Sequence, residues 1–455
     1  MTIFSPALAS AYVSAACIAL SGCASYRAEP LSERPGLAPS VAALDRARPD
    51  GLPIPADKPL TPAEVAVLAV LNSPDLRAVR AQRGVAQAQV IQAGLLPDPT
   101  LSGNYSVFLA GPGVANAIGA TLTGDIAALV TLSARRRAAR QAALQVDAGL
   151  IWQEWQTISR AQMLVVDIVQ QGRLLTSLRR TLDLLRRRAS LSAQGVARGD
   201  VTLQTLAPDV AAVNALQTQY DTSELAQEQR WQSLDALLGL EPHVRPPLAR
   251  TTRIAPIKPS EAAQLLATLP QRRPDLIALQ LGYQAQEARL RAAVLGQFPA
   301  LTLGPTYGND TSRVQTLGPS ISLTLPLFNR NRGAVAIEQA SRQLLREEYA
   351  ARLAAAVGGT RALLANLALL ERQLAAARTG FGQAEMLAAG AERALRANLL
   401  DELSYVQLVT ARLEKERQVV GLLQQVLDNQ IALATLLGAG LPPVRLVPPK
   451  EPGLL

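Results

Sequence analysis

Near its start the chain reads Asn72-Ser73-Pro74-Asp75-Leu76-Arg77-Ala78, and 200 residues later it reads Arg272-Arg273-Pro274-Asp275-Leu276-Ile277-Ala278. The same offset brings Leu95-Leu96-Pro97-Asp98-Pro99-Thr100-Leu101 onto Leu295-Gly296-Gln297-Phe298-Pro299-Ala300-Leu301. Leu234-Asp235-Ala236-Leu237-Leu238-Gly239 finds its counterpart in Leu433-Ala434-Thr435-Leu436-Leu437-Gly438. Self-similarity at a fixed period marks a unit of structure used twice, so the chain reads as a tandem duplication. Its parts are a leader (1–22), a Pro-rich segment (23–60), a first repeat (61–240), a linker (241–260), a second repeat (261–440) and a tail (441–455).

Each repeat has one internal plan. Thr61-Pro62-Ala63-Glu64 has the pattern of a helix start, with a capping threonine, a proline in the first turn and an acid three residues after the cap. The spacing predicts a helix running towards Pro97, and a second one from Ser260-Glu261 towards Pro299, because a residue before proline is driven out of helical geometry. Period-two alternation follows. Leu101, Gly103, Tyr105 and Val107 alternate with Ser102, Asn104 and Ser106, and Ile321, Leu323, Leu325 and Leu327 with Ser320, Ser322 and Thr324. Turn signals at Gly111-Pro112-Gly113 and Gly308-Asn309-Asp310 predict one hairpin per repeat, hence four strands.

Proline is then absent from Pro112 to Pro208 and from Pro326 to Pro442. About 60 residues in each span, Leu132 to Gln194 and Arg332 to Leu395, read as continuous helix, roughly 90 Å long at 1.5 Å per residue. A second helix follows in each repeat. In the later one Leu403, Val406, Leu413, Val420, Leu427 and Ile431 form a three-and-four spaced seam. Aromatics make up only 4% of the residues, which suits long helices packed through Ala and Leu.

Four amphipathic strands cannot close on themselves, and unpaired backbone groups in hydrocarbon cost several kcal/mol each. A membrane role therefore demands a closed barrel built from several chains. The competing arrangement is a soluble four-stranded sheet capping a helical stalk.

Two cysteines, Cys17 and Cys23, both lie in the first 23 residues. The apolar stretch 1–22 is too short to span a bilayer and reads as a leader. Its end, Leu20-Ser21-Gly22-Cys23, resembles a bacterial lipobox, which implies a covalent lipid on Cys23 and, with Ala24 following, the outer membrane. The leader lacks the usual Lys or Arg.

The formal charge of +9 is carried by arginine, clustered at Arg135-Arg136-Arg137, Arg179-Arg180 and Arg186-Arg187-Arg188. These runs lie in helical pattern with few aromatics to stack bases, so they read as solvated helix faces and no nucleic-acid partner is expected. His243 is the only histidine and sits in a Pro-rich linker, which excludes His-based triads and multi-histidine zinc sites. Met163 and Met386, the only methionines after the leader, are expected to pack in helix cores. The expectation is no enzyme, no metal site and no cofactor beyond the lipid.

From about Thr61 to Gly438 the chain resembles the outer-membrane efflux proteins of the TolC family. The resemblance rests on the two Pro-Asp-Leu openings, the helix-to-strand changes at Pro99 and Pro299, Leu323-Thr324-Leu325-Pro326-Leu327-Phe328 with the basic stretch after it, and both Leu-Leu-Gly closings. It implies a mainly α protein with a membrane β-barrel portion. In such a protein a homotrimer shares its strands in a twelve-stranded barrel, continued by an α-helical coiled-coil tunnel through the periplasm. Its partners would be a periplasmic adaptor and an inner-membrane pump of the RND type, exporting drugs or metal cations. Pro326-Leu327-Phe328-Asn329-Arg330-Asn331-Arg332-Gly333 looks most like the branch that serves heavy-metal pumps.

In that family an Asp-Val-Leu-Asp motif rings the periplasmic aperture. Asp401-Glu402-Leu403-Ser404 is its counterpart here, with Ser404 in place of the second acid. Asp401 thus reads either as an aperture carboxylate or as a helix N-cap. Asp200, in the equivalent turn of the first repeat, reads as a cap or an adaptor contact. A periplasmic coiled-coil scaffold or adaptor without a pore is the alternative function.

Overall fold

The structure is a computed structural model, described here for residues 26–47, 53–111 and 113–444. Cys17 and Cys23 lie outside the described residues. Two compact units are separated at Leu37/Ala38. In the first, the described residues are exposed chain, with Ser32 Oγ donating to the Arg34 carbonyl at 3.0 Å. All the elements below belong to the second.

The opening helix does not run unbroken towards Pro97. It is two helices, α1 (Pro62–Asn72) and α2 (Pro74–Gly94), parted at Ser73. Pro74 holds Ser73 at φ −52°, ψ 123°, and starts a new helix at its first position. The predicted capping box is present in full: Glu64 N–H donates to Thr61 Oγ1 at 3.3 Å and Thr61 N–H to Glu64 Oε2 at 2.9 Å.

After α2 come β1 (Thr100–Ser106), β2 (Ala117–Asp125), the long helix α3 (Ala127–Arg198) and α4 (Leu203–Leu238). The order then recurs. Helices α5 (Pro259–Ala267), α6 (Leu269–Arg272) and α7 (Pro274–Leu295) lead to β3 (Ala300–Asn309) and β4 (Gln315–Thr324), then α8 (Arg332–Arg396) and α9 (Glu402–Leu437). Here too the single helix expected up to Pro299 is broken, at Thr268 and at Arg273 before Pro274. At 72 and 65 residues, α3 and α8 exceed the predicted length and extend about 108 and 98 Å.

The strands form one antiparallel sheet in the order β1-β2-β3-β4. The second hairpin turns slightly later than its glycine signal suggests, over Asp310–Val314, where Asp310 Oδ1 accepts from the N–H groups of Ser312 and Val314 at 2.8 and 2.9 Å. Between β2 and β3 the ladder skips Leu122 and Thr123. Opposite them stands Pro305, which has no N–H to give.

Three packed clusters hold the helices together. One joins Leu60, Val65 and Leu68 to Val165 and Ile168 of α3 and to Leu234 and Leu238 of α4. A second sets Leu269 and Leu276 against Leu367 and Leu374 of α8 and Leu433 and Leu437 of α9. The third places Val406, Leu413 and Val420 of the predicted seam on Leu174, Leu178 and Leu182 of α3, so α9 packs across the two halves. Leu403, the first residue of that seam, is exposed instead, in the first turn of the helix.

Both Leu-Leu-Gly motifs end helices. Gly239 and Gly438 sit at φ 68° and 60°, the left-handed C-cap that favours glycine. Stretch 241–260 is packed rather than free: Leu60 pairs with Leu248, and Val244 and Leu248 lie on the first cluster.

Candidate functional site

Paired residues share a face of a sheet, so the register sorts every strand residue to one side or the other. One face carries Leu101, Tyr105, Ile118, Leu122, Leu301, Leu303, Pro305, Tyr307, Leu317, Pro319, Ile321 and Leu323. The other carries Thr100, Ser102, Asn104, Thr121, Thr123, Thr302, Thr306, Thr316, Ser320, Ser322 and Thr324. The polar side chains are cross-linked, with Thr100 Oγ1 and Thr123 Oγ1 at 2.8 Å and Thr121 Oγ1 and Thr306 Oγ1 at 2.8 Å.

The apolar face is left bare in a single chain. Leu101 is 76% exposed, Leu317 79% and Ile321 66%. Both outer edges, on β1 and β4, are also unpaired among the described residues. A soluble protein shields such a surface, whereas a wall between hydrocarbon and a wet lumen requires it. Strands of 7, 9, 10 and 10 residues approach the 9–11 or so needed to cross a bilayer at a tilt.

All four helix–strand junctions lie at one end of the sheet, since Thr100 pairs with Thr123 and Ala300 with Thr324. The helices therefore leave the sheet on the same side. Helix α8 contains an 18-residue window of mean hydropathy 1.6 and is by length and composition able to cross a membrane. At about 98 Å it is three times too long for that.

At the far ends of the helix pairs are two tight turns, with Gly199 (φ 80°) after α3 and Asn398 (φ 57°) after α8. Asp401 is the N-cap of α9. Its Oδ1 accepts from Ser404 N–H at 2.9 Å and its Oδ2 from Ser404 Oγ at 2.7 Å. The residue standing in place of the motif's second acid thus binds the first. These bonds, the Ser404 hydroxyl foremost, hold the exposed Asp401 carboxyl below its ordinary range, so its charge persists into acid.

Asp200 is not a cap. Thr202 occupies that position, and Asp200 instead accepts from Arg198 Nε at 2.9 Å. Neither Asp200 nor Asp401 is buried.

The other sequence expectations divide. Arg135, Arg136, Arg137, Arg179, Arg180, Arg186 and Arg187 are exposed. Arg188 is a correction: it is buried and its Nε pairs with Asp209 at 2.7 Å, with Ser192 Oγ donating to the same carboxylate. Met163 packs beside Val166, Leu427 and Ile431 as expected. Met386 does not; it is 69% exposed. His243 is exposed at φ 73°. Among the described residues no group of three or more His, Cys, Asp or Glu could hold a metal ion.

Some buried polar structure gave no signal in the sequence. Arg273 grips Asp275 with Nε at 2.9 Å and Nη2 at 2.6 Å, and lies 4.9 Å from the centre of the Trp152 ring. In the second copy of the repeated Pro-Asp-Leu motif the Asp is thus buried in an ion pair, whereas Asp75 of the first copy is exposed.

A four-stranded amphipathic sheet standing on two pairs of long helices is a fold that solved outer-membrane channels also have. The chain has this fold in common with Campylobacter jejuni CmeC, an outer membrane channel (TM-score 0.68, 16% identity, covering 84% of this chain and 86% of that one). It is similar also to CusC, a protein studied for its transmembrane channel formation (0.66, 18%, 90% and 99%), and to the Vibrio cholerae outer membrane protein VceC (0.66, 18%, 83% and 96%). No curated protein matches the sequence. Residues 265–439 match the model of the outer membrane efflux protein family. Its members are passive channels, not enzymes.

Proposed function

We propose that the chain is the outer-membrane duct of a tripartite efflux system, through which a substrate delivered from the inner membrane leaves passively. The sheet carries this reading, with one bare apolar face, one hydroxyl-lined face and two open edges. Four strands cannot close a membrane barrel, because such barrels start at about eight. Three copies with four strands each give twelve, with β4 of one copy pairing β1 of the next. Each copy's apolar face then meets lipid, and its Ser and Thr face lines water.

The same association covers α8, whose Leu344, Leu369 and Leu387 are exposed in the single chain. The helices continue the barrel as a coiled-coil tunnel, two similar halves per copy serving as quasi-equivalent staves. Their turns form the inner aperture. There Asp401, held ionised by Ser404, supplies a ring of three negative charges that favours cations. Asp200 is the corresponding exposed acid on the other turn and suits an adaptor contact. A lipid on Cys23 anchors the chain to the outer membrane. An adaptor and an RND-type pump complete the assembly, and the exported substrate is a drug or a metal cation.

Membrane fractionation with unheated gel electrophoresis tests this. A heat-modifiable trimer in the outer membrane that conducts in planar bilayers is expected. A soluble monomer would favour the pore-free periplasmic scaffold. Cys23→Ser should release the chain from lipid labelling.

A further inference from the structure

Where α3, α4 and α9 meet, a polar cluster lies beside the apolar seam. Asp167 of α3 accepts from Gln424 Nε2 of α9 at 2.5 Å and faces Arg230 Nε of α4 at 3.4 Å. Asp428 lies one turn beyond Gln424, on the same side of α9. Arg230 Nη1 and Asp428 Oδ1 are both buried and have no hydrogen-bond partner among the described residues. An apolar cluster lies beside these groups: Val166 and Met163 from α3, Leu427 and Ile431 from α9, and Ile254 from the segment after α4.

Two carboxylates therefore lie within the field of one guanidinium, with only Asp167 in contact with it. The charges that bear on Asp428 are Asp167 from α3 and Arg230 from α4, while α9 and the 250s segment present Gln424 and Ile254. With both acids ionised the partly buried cluster holds a net negative charge, which burial penalises. With one proton retained, the remaining carboxylate balances Arg230 and the cluster is neutral. Burial, then the Asp167 charge, pushes the Asp428 carboxyl up to about 7, and burial also raises Asp167.

We propose that Asp167 and Asp428 form a one-proton binding site that locks α9 onto the α3–α4 pair, and that loss of this proton to solvent loosens the seam between the two halves of the chain. The sign follows from linkage. A carboxyl whose folded pKa is raised favours the folded contact at pH below that value, and this advantage fades as pH climbs from its ordinary value to about 7. Above pH 7 the seam carries the full charge penalty. The site lies about 40 Å from the helix turns, 26 residues along α9, so it is separate from Asp401.

The test is hydrogen–deuterium exchange of the full-length oligomer at pH 6 and pH 8, corrected for intrinsic rates, read on peptides covering 163–170 and 424–431. If opening the seam returns Asp428 to an ordinary carboxyl, protection falls about tenfold between those pH values, since the ratio of (1 + 10) to (1 + 0.1) is ten. Asp428→Asn should abolish this dependence. Asp167→Asn, which removes the like charge, should move its midpoint to lower pH. Unchanged wild-type protection, or a pH dependence that survives in D428N, would overturn the proposal. Should D428N fail to fold, an unmoved midpoint in D167N does the same. Exchange needs no conduction, so the outcome stands apart from that of the duct reading.

Discussion

The two faces of β4 make a comparison within a single strand. Ile321 lies on the apolar face opposite Leu303, and Ser322, its neighbour, lies on the hydroxyl face opposite Thr302. Consider Ile321→Arg beside Ser322→Arg. Ile321 is the seventh of ten residues in β4, part-way between the middle and the helix end of the sheet. An arginine on the lipid face costs about 2–4 kcal/mol at the bilayer midplane and about 0–1 near the interface, so about 2 kcal/mol per copy is expected here. That is roughly a thirtyfold shift against insertion for one copy. Three copies in one barrel bear it together. At Ser322 the same side chain enters water and costs little. The assay is the fraction of outer-membrane protein that migrates as a trimer unless heated, with urea resistance from vesicles as the quantitative readout. Equal behaviour of I321R and S322R would refute the membrane wall, because a solvated sheet tolerates arginine on either face. An I321R protein of raised solubility would point to the soluble cap.

Other consequences follow from single contacts. Asp209→Ala strands the buried Arg188, with an expected loss of about 3–5 kcal/mol in chemical unfolding, and Arg188→Met combined with Asp209→Leu should recover most of it. Gly239→Ala places a Cβ at φ 68° and 3.2 Å from the Asn72 carbonyl oxygen, costing about 1–2 kcal/mol and visible as a lowered Tm. Asp401→Ala should raise single-channel conductance or relieve cation block; no change would leave Asp401 as a helix cap only. Ser404→Ala removes the principal donor to Asp401. Any acid-induced change in conductance should then begin at higher pH than in the wild type.

How far the sequence could be read depended on the range of the interaction. Thr61-Pro62-Ala63-Glu64 closes its capping box within four residues, and the structure has it. The alternation around Ile321 and Leu323 is local too, and β4 lies there. Local rules also explain two misreadings. The proline effect that ends helices before Pro97 and Pro299 acts equally at Pro74 and Pro274, where each first helix breaks. Asp401 as a cap was legible as one of two readings, because the competing role depends on copies of the chain beyond this one.

What the sequence determined alone is the list of parts: a helix–hairpin–long helix–helix order that occurs twice, strands with one apolar face, and helices too long for a globule. These follow from periodicity and from proline, which act within a few residues. Tertiary structure decided the partners. Nothing in the seam of α9 says that Val406 and Leu413 will lie on Leu178 of the other half, because an apolar stripe fits any apolar stripe of like spacing. Nor does an arginine run reveal that Arg188 is inside while Arg187 is outside, or that Asp167, Arg230 and Asp428, spread over 261 residues, will come together in one partly buried cluster. Charge and burial there arise only once three helices have come together.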